Sequence, residues 1–186
     1  LSENIAGKLT MNIRKRDGYA ENITTGQDLE DEDTKSVRGQ LLFTPTDNVD
    51  VLLGFDYADI DTSGNNRFLM NLEISDYPGV VVPLYPSYYA RGVASNNLIG
   101  NDPRKANHEE LQYSNKEILG FQGRVDVDFD WAQLTSITAY RESESAWWQA
   151  LNPQLSARLG GEGLQEVDDG AEQEAEQFSQ EFRLSG

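Results

Sequence analysis

Cysteine is missing from this 186-residue sequence. Its absence removes disulfides, thiolate metal sites and cysteine nucleophiles, without naming a compartment. Basic residues are scarce: 15 Lys and Arg stand against 32 Asp and Glu, for a net charge of -17. Phosphate backbones are bound through clustered Lys and Arg, so no nucleic-acid partner is expected. Nowhere do about 18 apolar residues run together, so no membrane-spanning helix is expected. The chain also has no phosphate-binding glycine motif, no paired metal-ligand spacing and no Gly-x-Ser-x-Gly elbow. With a single histidine besides, the sequence is not expected to be an enzyme, to carry a cofactor or to build a metal site. The opening Leu1-Ser2-Glu3-Asn4 shows no signal pattern. The chain is therefore expected to be a fragment or a processed piece.

What is present is alternation. In Thr34–Asp61, Val37, Gly39, Leu41 and Phe43 share one face of a strand; Val49, Val51, Leu53, Phe55 and Tyr57 share one face of the next. Side chains of a strand point to opposite faces in turn, so this is a hairpin with an apolar and a polar side, closed at Thr44–Asn48. The same period runs through Ile5, Gly7, Leu9, Met11 and Ile13, and through Leu119, Phe121, Gly123, Val125, Val127 and Phe129. It recurs, with one polar member, in Phe178, Gln180, Phe182 and Leu184. Between Gln133 and Glu144 the pattern is mixed; Arg141 is expected on the polar side and Tyr140 on the apolar side. The reading is an all-β antiparallel up-and-down meander of about six long strands, near 5–17, 34–44, 49–61, 117–129, 133–145 and 176–185. Strands of about ten residues or more exceed the usual five or six.

Connections alternate short and long. The turns at Thr44–Asn48 and Asp130–Trp131 are tight, whereas Tyr19–Asp33, 62–115 and 152–176 are long. A long structureless connection inside a compact domain points to a functional loop. The acidic run Asp28–Asp33 lacks the glycine of a calcium loop, and Asp126, Asp128 and Asp130 lack its twelfth-position Glu. The first reads as a solvated loop tip, the second as strand periodicity. His108 reads as an exposed polar-loop residue, and Trp147-Trp148 as a pair at or just past the end of a strand, where indoles suit a membrane interface.

In this order the pieces resemble the barrel domain of TonB-dependent outer-membrane receptors. The matching pieces are Arg14–Tyr19 with Asn22, Leu29–Asp33 leading into Val37–Leu41, Phe43–Asn48, Leu134–Arg141 and Glu176–Leu184. The stretch between Thr62 and Asn115 has no counterpart. The resemblance implies that residues 1–186 are an internal part of a transmembrane β-barrel of about 22 strands, in the bacterial outer membrane, with short periplasmic turns and long extracellular loops. It implies uptake of a scarce solute, most often a ferric siderophore, driven by the inner-membrane TonB complex. The N-terminal plug that would contact that complex is not in this sequence. Outer-membrane lipid would be the other partner. Ligand contacts are expected on the longest loop, at Arg67, Tyr77, Tyr85, Tyr88, Tyr89 and Arg91, because arginine suits anionic chelates and tyrosine suits rings and sugars. The alternative reading of the same residues is a soluble all-β module that binds calcium or carbohydrate through the acidic loops and Trp147-Trp148.

Overall fold

The computed structural model describes residues 3–66, 102–108, 110–150 and 168–186. Among these, every regular element is a strand: β1 (Ile5–Arg16), β2 (Ala20–Asn22), β3 (Gln27–Leu29), β4 (Glu32–Thr46), β5 (Val49–Thr62), β6 (Lys105–Ala106), β7 (Tyr113–Asp128), β8 (Gln133–Ala150) and β9 (Asp168–Ser185). The six long strands form one sheet in the order β1-β4-β5-β7-β8-β9, and every neighbouring pair is antiparallel. The expected all-β meander of six strands is what the chain folds into.

The strands run further at their loop ends than the alternation indicates. β4 starts at Glu32, β7 at Tyr113, β8 continues to Ala150 and β9 starts at Asp168. No two-residue apolar period marks these extensions: those of β4 and β9 are mostly polar and that of β8 carries a tryptophan on each face, so the cross-strand ladder carries them instead. Trp147 and Trp148 accordingly lie inside β8, opposite Ser114 and Tyr113, and not beyond its end. Two stretches expected to be loop also contain strands. β2 and β3 form a hairpin within Tyr19–Asp33, and β6 lies in the long connection.

The turn end is tied by polar contacts. Pro45 has no N–H to give, and the β4–β5 register shifts between Phe43 and Thr46 around it. Asn48 then bridges the two turns: its carbonyl accepts from Asp128 N at 2.9 Å, and its Nδ2 donates to Asp128 O at 3.3 Å.

Register sorts the side chains into two faces. Leu9, Gly39, Phe55, Phe121, Tyr140 and Phe178 form one cross-strand row; two residues away on each strand, the next rows continue the same face. A side chain at Gly39 would overlap the Phe55 ring, so that ring lies over the glycine. This face is apolar and exposed: Leu9 61%, Met11 70%, Ile13 75%, Leu53 50%, Phe121 52%, Phe178 68%, Phe182 70% and Leu184 62%. A large apolar side chain gains about 1.5–3 kcal/mol on full burial. Eight such residues left in water forfeit on the order of 10 kcal/mol, which equals the net stability of a typical domain. The hydrophobic cluster of fully buried residues lies elsewhere, in the small sheet, and consists of Ala20, Leu29 and Ala106.

The upper edge of the apolar face is oblique to the strands. On β1 the last apolar member is Ile13, whose row runs through Lys35, Asp59, Glu117 and Glu144 to Glu174. On β9 the last is Phe178, four residues nearer the turn end than Glu174. At about 3.3 Å per residue and about 4.8 Å per strand, the edge falls roughly 13 Å across roughly 24 Å, a slope of about 29°.

Candidate functional site

The six residues expected to contact a ligand, Arg67, Tyr77, Tyr85, Tyr88, Tyr89 and Arg91, lie outside the described residues. What the structure does describe is the ground from which that loop departs and to which it returns. Above the long strands, β3-β2-β6 form a second small sheet. β2 pairs antiparallel with β3 and parallel with β6, so segments more than eighty residues apart meet there.

Amide side chains build this meeting point. Asn22 is fully buried; its Nδ2 donates to His108 O at 2.9 Å, and its Oδ1 accepts from His108 N at 3.1 Å. Gln27, opposite Asn22 in the hairpin, repeats the device: Nε2 donates to Gln112 O at 2.6 Å and Oε1 accepts from Gln112 N at 3.0 Å. Each carboxamide thus holds both backbone groups of a distant residue, as a strand partner would. Losing a hydrogen bond of this kind to a buried backbone group costs about 1–3 kcal/mol. His108 is therefore not the exposed loop residue its polar neighbours suggest. It is 0% exposed, two residues past β6 and held by Asn22 of the central strand β2. Gln112, 1% exposed, has no partner for either atom of its own side-chain amide.

The acidic run is not a free loop tip either. Leu29 is buried in the small sheet. Asp31 accepts from Ser63 N at 2.7 Å and from Ser63 Oγ at 2.6 Å, while Glu30 accepts from Asn66 N at 2.9 Å. Asn66 Nδ2 then donates to Pro103 O at 2.7 Å, which draws the two ends of the long connection together. Asp102 accepts from Arg104 N at 3.0 Å, and that backbone hydrogen bond, more than the Arg104 charge, holds its carboxyl below the usual carboxylate range. Among the described residues, no three of His, Asp and Glu are placed to hold a metal ion.

The apolar face turns acidic just above its oblique edge. Glu117, Glu144 and Glu174 stand in one row, with Glu142 and Glu176 beside them one row nearer the band. Like charges directly opposite on a sheet repel, so this belt gains nothing from its own packing. Tyr57 and Tyr140 occupy the boundary, and at the turn end the rings of Phe129 and Trp131 stack with centroids 6.1 Å apart.

The opposite face is polar and carries ion pairs. Arg141 faces this side and Tyr140 the apolar one, as the sequence suggested. Arg141 Nη2 lies 2.9 Å from Asp56 Oδ2, although β7 runs between them. The residue of β7 at that level is Gly120, where a Cβ would come within 3.0 Å of both Asp56 oxygens. Further down, Arg124 pairs with Asp126 at 2.6 Å, and Thr135 Oγ1 donates to the same carboxylate at 2.6 Å. Sequence reading missed Asn22, Gln27 and the Asp56–Gly120–Arg141 crossing. Nothing in local spacing marks contacts made 85 and 86 residues away.

No family model, no curated protein and no solved structure matches the chain.

Proposed function

We propose that this chain is a section of the wall of an outer-membrane barrel, of the TonB-dependent receptor type, through which a scarce solute such as a ferric siderophore is taken up. The observation that carries the reading is the oblique exposed band. A soluble sheet hides its apolar face under a second layer. Among the described residues no layer covers this one. Wall strands of membrane barrels lean about 35–45° from the membrane normal, so a lipid-facing band must cut across them at an angle. The slope of about 29° is of that size. Aromatic residues at both rims, an apolar face with no charge inside it, and a polar opposite face support the same reading. On it, the acidic small sheet and the long connections lie outside the cell, and the two-turn end lies in the periplasm. The solute would be met by the loop of Arg67, Tyr77 and Arg91; the energising inner-membrane complex would act through the plug of such a receptor.

Single cysteines at Leu53, Gly54, Phe55 and Asp56 test this in the full chain reconstituted in lipid vesicles, since the native sequence has none to remove. Spin labels at 53 and 55 should relax with oxygen, which dissolves in lipid, and labels at 54 and 56 with a water-soluble nickel chelate. Protection of 53 and 55 from both reagents would mean a packed protein core, and the proposal would be lost.

A further inference from the structure

The polar face has a built depression at mid-height, and we propose that it receives the anionic end of a small hydroxylated organic acid. The inference rests on the reading of this face as the solute side of the wall. Its floor is made by what is missing: Gly120 brings no side chain, and Ala139 and Ser179 bring short ones. The hollow, about 230 Å³, is bordered by Asp56, Gln122, Arg141 and Gln177.

Its charge is opposite to that of the molecule. The chain carries -17. Yet the row through this hollow is Arg38, Asp56, Gly120 and Arg141, with Lys8 one row away. Two arginines thus share the row with one acid. Asp56 does not cancel Arg141 so much as aim it. Both carboxylate oxygens lie on Nη2, at 2.9 and 3.2 Å. Nε and Nη1 keep donors for single charge-assisted hydrogen bonds to a second carboxylate, while both bidentate edges of the guanidinium include Nη2, where Asp56 sits. Arg38 flanks Asp56 from the other side and is exposed. Amides of Gln122 and Gln177 at the border supply both donors and acceptors, which suits hydroxyl groups. A neutral sugar would use the amides and leave the guanidinium edge unmatched. Phosphate alone would use the guanidinium and leave the amides unmatched. A hydroxy-carboxylate uses both.

Citrate is the probe. The isotope-labelled full chain in detergent micelles is titrated with sodium citrate, against sodium chloride of equal ionic strength, and the side-chain Nε–H signals of Arg38 and Arg141 are followed with the Gly120 amide. A saturable shift in the millimolar range is expected with citrate alone. Arg141→Gln should weaken it tenfold or more, and Gly120→Val, which places a side chain between Asp56 and Arg141, should do likewise. Arg183→Gln, a charge loss lower on the same face, should change it less than twofold. Equal shifts with chloride, or equal weakening by Arg183→Gln, would overturn the proposal. Should Gly120→Val not fold, Arg141→Gln decides alone. Citrate binding by a chain that stays out of vesicles keeps this subsite and removes the membrane wall; insertion without citrate binding does the reverse.

Discussion

The two sheets of this protein invert each other. The large one exposes Leu9, Met11, Ile13 and Phe182 and buries almost nothing; the small one buries Asn22, His108 and Gln112. In water the large sheet has its apolar residues on the wrong side, and the small sheet has polar groups where a core should be. The difference teaches that each is organised by a different partner. The large sheet is held by backbone ladders, and among the described residues nothing covers its apolar face. The small sheet is held by carboxamides that imitate strand edges, and its complement is the chain itself, returning after a long excursion.

The largest expected effect breaks the first half of that contrast. Phe55→Arg puts a charge in the middle of the band, where lipid-facing Arg or Lys costs about 2–4 kcal/mol. The folded fraction in vesicles, read by the gel-mobility difference between heated and unheated samples, should fall sharply. Gln122→Arg, on the polar face one residue from Phe121, should leave it within a few tenths of a kcal/mol, as surface changes usually do. Equal losses for both would erase the distinction between the faces.

Next comes the junction. Asn22→Ala removes both hydrogen bonds to the His108 backbone and should loosen the small sheet by roughly 2–3 kcal/mol. Hydrogen exchange should quicken at Ala106 and His108 while the β5 amides keep their rates. Loss of protection throughout β5 would show that the two sheets stand or fall together. A third, smaller effect lies at the Phe55–Gly39 contact. Gly39→Ala forces the ring off its seat and should cost about 1–2 kcal/mol, in the range of overpacking, seen as a lowered midpoint of denaturant unfolding from micelles.

The smallest effect is electrostatic. The Asp102 carboxyl is held below its ordinary value of 3.8 by the Arg104 backbone N–H. A depressed acid contributes stability that is present above its unfolded value and lost as pH falls through its folded value. The turn at Asp102–Arg104 should therefore hold at neutral pH and loosen only below about pH 4. In Asp102→Asn the Arg104 amide shift should lose that acid transition. A transition that persists would place its source elsewhere.

Much of the large sheet was legible because one face repeats every two residues. Val51, Leu53 and Phe55 announce their strand without any knowledge of its neighbours. The loop-end extensions were not legible, because Asp168–Ala175 shows no apolar period and Ala146–Ala150 puts a tryptophan on each face; only pairing defines them. Nor was the small sheet: Ala20-Glu21-Asn22 has no period, and it is strand because Lys105-Ala106 comes to lie beside it. His108 looked exposed for the same reason, since its burial depends on Asn22 and not on its neighbours in sequence. The Asp56–Arg141 pair could not be foreseen without the register that sets Gly120 between them. The ligand residues expected at Arg67, Tyr77, Tyr85, Tyr88, Tyr89 and Arg91 lie beyond what the described residues reach.

The central claim is that the bare face meets lipid across leaning strands. Polarised infrared spectroscopy of the full chain in oriented bilayers reads strand direction directly. A mean tilt of about 35–45° from the membrane normal is predicted. Strands lying in the plane of the membrane, or with no preferred direction, would contradict it.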